Sequence, residues 1–148
     1  FRTSHDCSES VGYSISFSDG TKSAVCTDLG FISSEVENAI DGCNALVIES
    51  NYDIEMLKNG DYPYYLKRRI LSEKGHLSNE ECAGVLPRLV KNGLTRIVLS
   101  HLSLENNTPA LAFRATLEVL KTQGMVINKD FTLNVAPQIN EENLKLIF

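Results

Sequence analysis

The sequence has no tryptophan, only three histidines and four cysteines, and no Cys-x-x-Cys or His-x-His pair anywhere in its 148 residues. The missing cysteine pairs exclude a zinc ribbon and a thioredoxin-type motif. The four cysteines, Cys7, Cys26, Cys43 and Cys82, are widely and irregularly spaced. That is no disulfide framework, and a reducing cytoplasm is the compartment it predicts. No apolar run approaches the roughly 20 residues a membrane-spanning helix needs. Positive charge is in the minority, with 14 Lys and Arg against 19 Asp and Glu and a formal charge of −5. A protein that coats polyanions over its whole surface is therefore excluded, although a local basic site is not. What is present, 43% hydrophobic and 22% charged residues, is the balance of one globular domain. The chain opens on Phe1 and directly on a motif-like loop, from which a start inside a longer protein is expected.

Period-two alternation over Val11–Phe17 puts Val11, Tyr13, Ile15 and Phe17 on one face and predicts a strand with that face buried. Ser18-Asp19-Gly20 is a turn signal, and Lys22–Thr27 continues as the second strand of a hairpin. Ser34 with Glu37 fits a capping box for a short helix to about Ile40, stopped by Gly42. Ala45–Ile48 reads as a strand covered on both faces. Tyr64–Glu73 reads as a basic helix. Ser78 with Glu81 is a second capping box, for a helix to about Asn92 that Pro87 kinks or divides. Arg96–Ser100 is another buried strand. Thr108, with Pro109 behind it, caps a helix to about Gln123. Phe131–Val135 alternates as a last strand, and the tail from Asn140 reads as a short helix. The order β-β-α-β-α-α-β-α-β predicts an α/β layer architecture in a single domain.

The chemistry-bearing residues are few. His5 and His76 sit in polar, loop-like stretches, Asp28 follows the second strand, and His101 follows Ile97–Ser100. Polar groups at strand ends are where α/β folds build sites, and His and Asp together suit Zn²⁺ or Mn²⁺. Each has a plain structural reading as well. A loop histidine is commonly a hydrogen-bonded surface residue, Asp28 before Leu29-Gly30 serves as a turn residue, and His76 fits the entry to the next helix. Lys67-Arg68-Arg69 fits a solvated helix face.

Five segments in succession carry a resemblance. They are His5-Asp6-Cys7-Ser8 with Thr27-Asp28-Leu29-Gly30; Glu49-Ser50-Asn51-Tyr52-Asp53; Tyr62–Leu71; Gly75-His76-Leu77-Ser78-Asn79; and Ser100-His101-Leu102-Ser103. In this order they resemble the later motifs of the metallo-β-lactamase fold, in the YycJ/WalJ-like nuclease branch related to tRNase Z and RNase J. The similarity covers roughly residues 1–120.

The resemblance implies the C-terminal portion of an αββα sandwich, with a mixed sheet and flanking helices. It implies that His5, Asp28 and His101 are ligands of two divalent metal ions, zinc or manganese, with Asp28 bridging. Their side-chain tips are then expected within roughly 10 Å of one another. It further implies that His76 is a proton donor oriented by Glu49, and that Asn79 and Lys67, Arg68 and Arg69 contact phosphate. Tyr52 stands where the family has His. The H-x-H-x-D-H signature of the fold is absent from these residues, so the metal site is expected to be incomplete here and the chain alone inactive.

The activity implied is metal-dependent phosphodiester hydrolysis, as a DNA exonuclease. An RNA-processing or cyclic-nucleotide phosphodiesterase is an alternative, and a non-catalytic structural half is another. A homo-oligomer is expected, because the faces bearing Val11, Tyr13, Ile15 and Phe17, and Phe131, Leu133 and Val135, would be short of cover.

Overall fold

The computed structural model describes residues 1–137; the expected tail helix from Asn140 lies outside them. The elements run β1 (Tyr13–Ser16), β2 (Lys22–Cys26), α1 (Ser34–Ile40), β3 (Ala45–Glu49), α2 (Ile54–Asn59), α3 (Tyr64–Ile70), α4 (Asn79–Lys91), β4 (Arg96–Ser100), α5 (Pro109–Thr122) and β5 (Thr132–Val135). One sheet holds the five strands in sequence order. β1 is antiparallel to β2, and β2 to β5 are mutually parallel. This is the mixed α/β sheet with flanking helices expected from the sequence, consistent with part of a metallo-β-lactamase fold. No described helix is long and apolar enough to cross a membrane.

Parallel neighbours need crossover connections, and such crossovers are nearly always right-handed. A strand order that never reverses then lays successive crossover helices on the same face. The core agrees. Ala24, Cys26, Leu46, Ile48, Ile97, Leu99 and Leu133 point from alternate strand positions towards Val36 and Ile40 of α1, Cys82, Leu86 and Leu89 of α4, and Ala112 and Leu120 of α5. Burial of that layer, at roughly 25 cal/mol per Å² of apolar surface, is the main stabilising term.

The opposite face fares differently. In register, Tyr13 lies across from Val25, Val25 beside Val47, and Val47 beside Val98. Val98 is buried, but towards the β1 edge the row is open, with Tyr13 64%, Ile15 50%, Phe17 48%, Val25 39% and Val11 39% exposed. The expected buried face of the first strand is therefore wet in this chain: alternation marks a face suited to burial, and no described residue covers it. The second face expected to lack cover does not. Phe131 and Leu133 are buried, and Val135 packs on the core beside α5.

Local differences have local causes. The first helix is capped by Ser33, whose Oγ accepts from Val36 N at 3.2 Å, so the neighbouring Ser34 becomes its first residue and the Ser34/Glu37 box does not form. α2 was not anticipated; its cap is Asp53, accepting from Met56 N at 2.8 Å. α3 ends at Ile70, short of Glu73. α4 begins on the Ser78/Glu81 capping box and continues through Pro87 undivided.

A buried polar knot ties β3 to the starts of α4 and α5. Asn107 Nδ2 donates to the carbonyls of Ser50 and Asn51 at 2.9 and 3.0 Å and to Asn79 Oδ1 at 2.9 Å. Asn79 Nδ2 returns a bond to Asn107 Oδ1 at 3.0 Å, and Ser50 Oγ donates to Asn79 Oδ1 at 2.7 Å. Asn107→Ala orphans several buried groups, each costing about 1–3 kcal/mol. We expect thermal unfolding to show a loss of at least that size, with an Ala substitution at exposed Glu105 nearly neutral.

Candidate metal centre

Because β2, β3 and β4 are parallel, their carboxyl ends share one edge of the sheet. Asp28 stands two residues past β2, Glu49 ends β3, and His101 follows β4. β1 runs the other way, so the loop leading into it, with His5, reaches the same edge. His76 arrives from the segment before α4. That segment is laced to the extension of β3 by Asn51 N to Leu77 O and Asn79 N to Tyr52 O, both 2.9 Å.

His5 Nε2 and His101 Nε2 each lie 3.8 Å from Asp28 Oδ1. The His76 ring lies between the other two, with centroids 4.7 Å from His5 and 5.3 Å from His101. Ligand atoms of His5, Asp28 and His76 fall within 4.8 Å of one another, as do those of Glu49, His76 and His101. The three residues expected as ligands thus converge, and His76 and Glu49 join them.

The imidazoles are oriented. His5 Nδ1 is 3.0 Å from Gly75 O, an acceptor only, so Nδ1 donates and Nε2 is left for another partner. Glu49 Oε1 accepts from His76 Nδ1 at 2.6 Å and His101 Nδ1 at 3.2 Å, while Oε2 accepts from Leu29 N at 2.9 Å. Each histidine is therefore held through Nδ1 with Nε2 left for another partner, the arrangement by which proteins orient metal-binding imidazoles. Burial disfavours the Glu49 charge, but the hydrogen bonds from His101 and His76, the His76 charge and the Leu29 N–H together outweigh it and hold the carboxyl below the usual range. The bond to Glu49 raises the His101 pKa against the opposing effect of burial, and the charges of Glu49 and Asp28 add to the rise.

Two of the residues sit on uncommon backbone. Asp28 has φ +57° and His101 φ +56°, a region few non-glycine residues enter and one that gathers at functional sites. Asn51 holds the His101 conformation, donating from Nδ2 to His101 O at 2.7 Å and accepting from Ser103 N at 2.8 Å. A side chain at Gly75 would collide with the carbonyls of Arg69 and Ile70, so glycine is required where the chain turns in to present His76.

These groups open into a pocket of about 490 Å³ that also meets Tyr62, Leu66, Arg69 and Ser103. Arg69 reaches it already paired, with Nε and Nη2 each 2.6 Å from the carboxylate of Asp6. This bidentate contact holds Asp6 below the usual carboxylate range. Asp6 is a further acidic neighbour of His5, 3.5 Å from its Nε2; the adjacency His5-Asp6 is the signal for it in the sequence. The other basic residues lie elsewhere. Lys67 Nζ donates to the carbonyls of Lys58 and Gly60 at 2.8 and 2.6 Å, and Arg68 lines a neighbouring groove. Asn79, expected to meet phosphate, is instead fully buried in the polar knot with its amide spent on Asn107 and Ser50. Tyr52 is buried behind the site.

The donor set fits a divalent transition metal. Imidazole nitrogens and the Asp28 carboxylate converge, each imidazole is anchored through its other nitrogen, and they line a cleft rather than a sealed core, with Glu49 buried behind them. All four cysteines are free; Cys26, Cys43 and Cys82 are buried, and burial pushes the Cys26 thiol up to about 12 and Cys43 to about 11. They contribute no thiolate to the centre.

No family model matches the chain. Among curated proteins, exodeoxyribonuclease YycJ of Bacillus anthracis is 39% identical over 134 residues, which is 90% of this chain and 50% of that protein. Exodeoxyribonuclease WalJ of Streptococcus pneumoniae, in strains D39 and R6, is 35% identical over 131 residues, 88% of this chain and 48% of that protein. The chain spans about half the length of the curated relatives it matches. Over 88–90% of its own length, then, this chain is similar, at 35–39% identity, to the curated exodeoxyribonucleases YycJ and WalJ.

Proposed function

We propose that this chain is the part of a metal-dependent DNA exonuclease that carries His5, Asp28, His101, His76 and Glu49, the C-terminal portion of its metallo-β-lactamase domain. The observation that supports this most is the convergence of three Nδ1-anchored imidazoles on Asp28 at the carboxyl edge of the sheet. His5, Asp28 and His101 would hold two divalent ions, zinc or manganese, together with ligands from an H-x-H-x-D-H segment. Such ions, when bound, supply a water of lowered pKa and neutralise charge on a phosphodiester.

This chain's residues do the rest. Glu49 fixes the His76 ring through Nδ1, so that in the cationic ring Nε2–H can deliver a proton to the departing oxygen. Arg69, held by Asp6 at the pocket wall, offers a guanidinium for a flanking phosphate. The free thiols accord with a reducing cytoplasm as the place of action.

Three ligand residues do not complete two coordination spheres, since an ordinary zinc site uses about four. The 148 residues alone are therefore expected to bind metal weakly and hydrolyse little. Calorimetric titration with Zn²⁺ or Mn²⁺ checks this; two tight sites per chain would contradict it. The activity itself is tested on a chain of the relatives' full length, with labelled duplex DNA, single-stranded DNA, pre-tRNA and a cyclic nucleotide, with metal and with chelator. Stepwise loss of nucleotides from DNA ends is expected. Cleavage confined to pre-tRNA or the cyclic nucleotide would move the assignment to the other phosphodiesterases of the fold.

The open face at β1 favours one further reading for the isolated chain, that of a structural half that self-associates.

A further inference from the structure

α3 turns two different sides to its surroundings. Leu66 and Ile70 pack inward with Tyr52 and Leu57. The outer side carries Tyr64, 76% exposed, and Tyr65, 75% exposed, a degree of exposure unusual for large aromatic rings. The last turn carries Lys67, Arg68 and Arg69, of which Arg69 is paired with Asp6, and the first turn has no acidic residue. In a chain of net charge −5 this is a concentrated positive surface. The Arg68 guanidinium stands 5.9 Å from the centre of the Tyr64 ring and, among the described residues, has no carboxylate partner. The Lys67 ammonium is fixed by two carbonyls and not by a carboxylate, so its charge is positioned and not cancelled. Lys58, beside it, is paired with Glu55 at 3.3 Å in the open, where such a pair is weak.

Lys58, Tyr64, Lys67 and Arg68 border a groove of about 280 Å³, and its wall Tyr62 also lines the pocket of the candidate metal centre. A strand whose end occupies that pocket can pass Tyr62 into the groove and lie along the outer side of α3.

We propose that the outer side of α3 is a binding platform for single-stranded DNA, on which Tyr64 and Tyr65 stack unpaired bases while Lys67 and Arg68 hold the intervening phosphates. The choice of DNA rests on the nuclease reading above; the choice of a single strand rests on the tyrosines. Bases within a duplex are already stacked on one another and offer no free face to an exposed ring, whereas an unpaired strand does. Two exposed rings followed by cations on one short helix supply both a stacking surface and phosphate contacts.

The test is binding of fluorescently labelled oligo(dT) and oligo(dA) by the 148-residue chain in chelator, so that no hydrolysis intervenes, with a blunt duplex as comparator. Single strands are expected to bind more tightly than duplex at low salt. Tyr64→Leu and Tyr65→Leu should each weaken binding about tenfold, while Tyr64→Phe and Tyr65→Phe retain it. Arg68→Ala should reduce the dependence of log affinity on log salt by about one unit. Leucine variants that bind as well as the unaltered chain, duplex bound at least as tightly as single strand, or no oligonucleotide bound at micromolar concentration would each overturn the platform. Tyrosine-dependent binding beside a full-length protein inert on DNA would leave the platform standing and remove the nuclease reading instead.

Discussion

His76→Ala, in a chain of the relatives' full length, is expected to lower turnover by about 10²–10⁴-fold while metal content stays near that of the unaltered protein. That is the usual contribution of a positioned general acid. The expectation comes from the way His76 is held. Its Nδ1 is committed to buried Glu49 at 2.6 Å, so Nε2 is the atom facing the pocket. Glu49→Gln should weaken that anchor and disturb His101 as well, because one carboxylate oxygen serves both rings. Turnover measured beside elemental analysis separates the roles. If His76 is a ligand, as its proximity to His5 and Asp28 allows, the variant loses metal along with activity. If it is only an entry residue for α4, activity stays near normal.

The 148-residue chain, taken alone, is expected to self-associate. Tyr13, Ile15, Phe17 and Val25 leave apolar surface in water on the face away from the helices. Fully burying one large apolar side chain is worth roughly 1.5–3 kcal/mol, so even partial cover of four is comparable with the 5–15 kcal/mol of a whole domain. Among the described residues β1 is also an edge strand, with one side unpaired and open to another copy. A two-fold dimer covers the face and the edge together. Sedimentation should show a species of at least twice the chain mass, and Ile15→Asp with Val25→Asp should shift it to monomer, since a carboxylate opposes burial of this face and leaves the covered one untouched. A monodisperse monomer of the unaltered chain at high concentration would contradict the expectation.

Much of the fold was legible because its signals are local. The Ser78/Glu81 box, Thr108 before Pro109, and the short apolar runs of β3 and β4 each depend on a few neighbouring residues. Where the reading failed, the deciding partner was remote or the choice finely balanced. The alternation in Val11–Phe17 marks a face suited to burial but does not say whether the cover lies within these residues. Adjacent Ser33 and Ser34 are equally good caps by type, and only the backbone geometry selects Ser33. α2 has six residues and no periodic pattern long enough to stand out from the loop around it.

The site was legible to a similar extent. With only three histidines, each beside a predicted strand end or helix start, their convergence could be anticipated. Two things could not. Glu49 anchors His101 as well as His76 because the parallel register sets Glu49 beside Ser100, which local sequence does not encode. Asn79 was expected at phosphate from its place in the Gly75–Asn79 segment, yet its fate was decided by Asn107, 28 residues away.

The central claim is that His5, Asp28 and His101 bind the metal on which the chemistry depends, and metal content measured beside exonuclease activity for Asp28→Ala in a full-length chain tests it most directly. If Asp28 lies between the metals, the purified variant should lose most of its bound zinc or manganese, and added metal should not restore the release of nucleotides from DNA ends. Its melting temperature should stay close to that of the metal-free unaltered protein. An Asp28→Ala protein with its full complement of metal and undiminished activity would contradict the account.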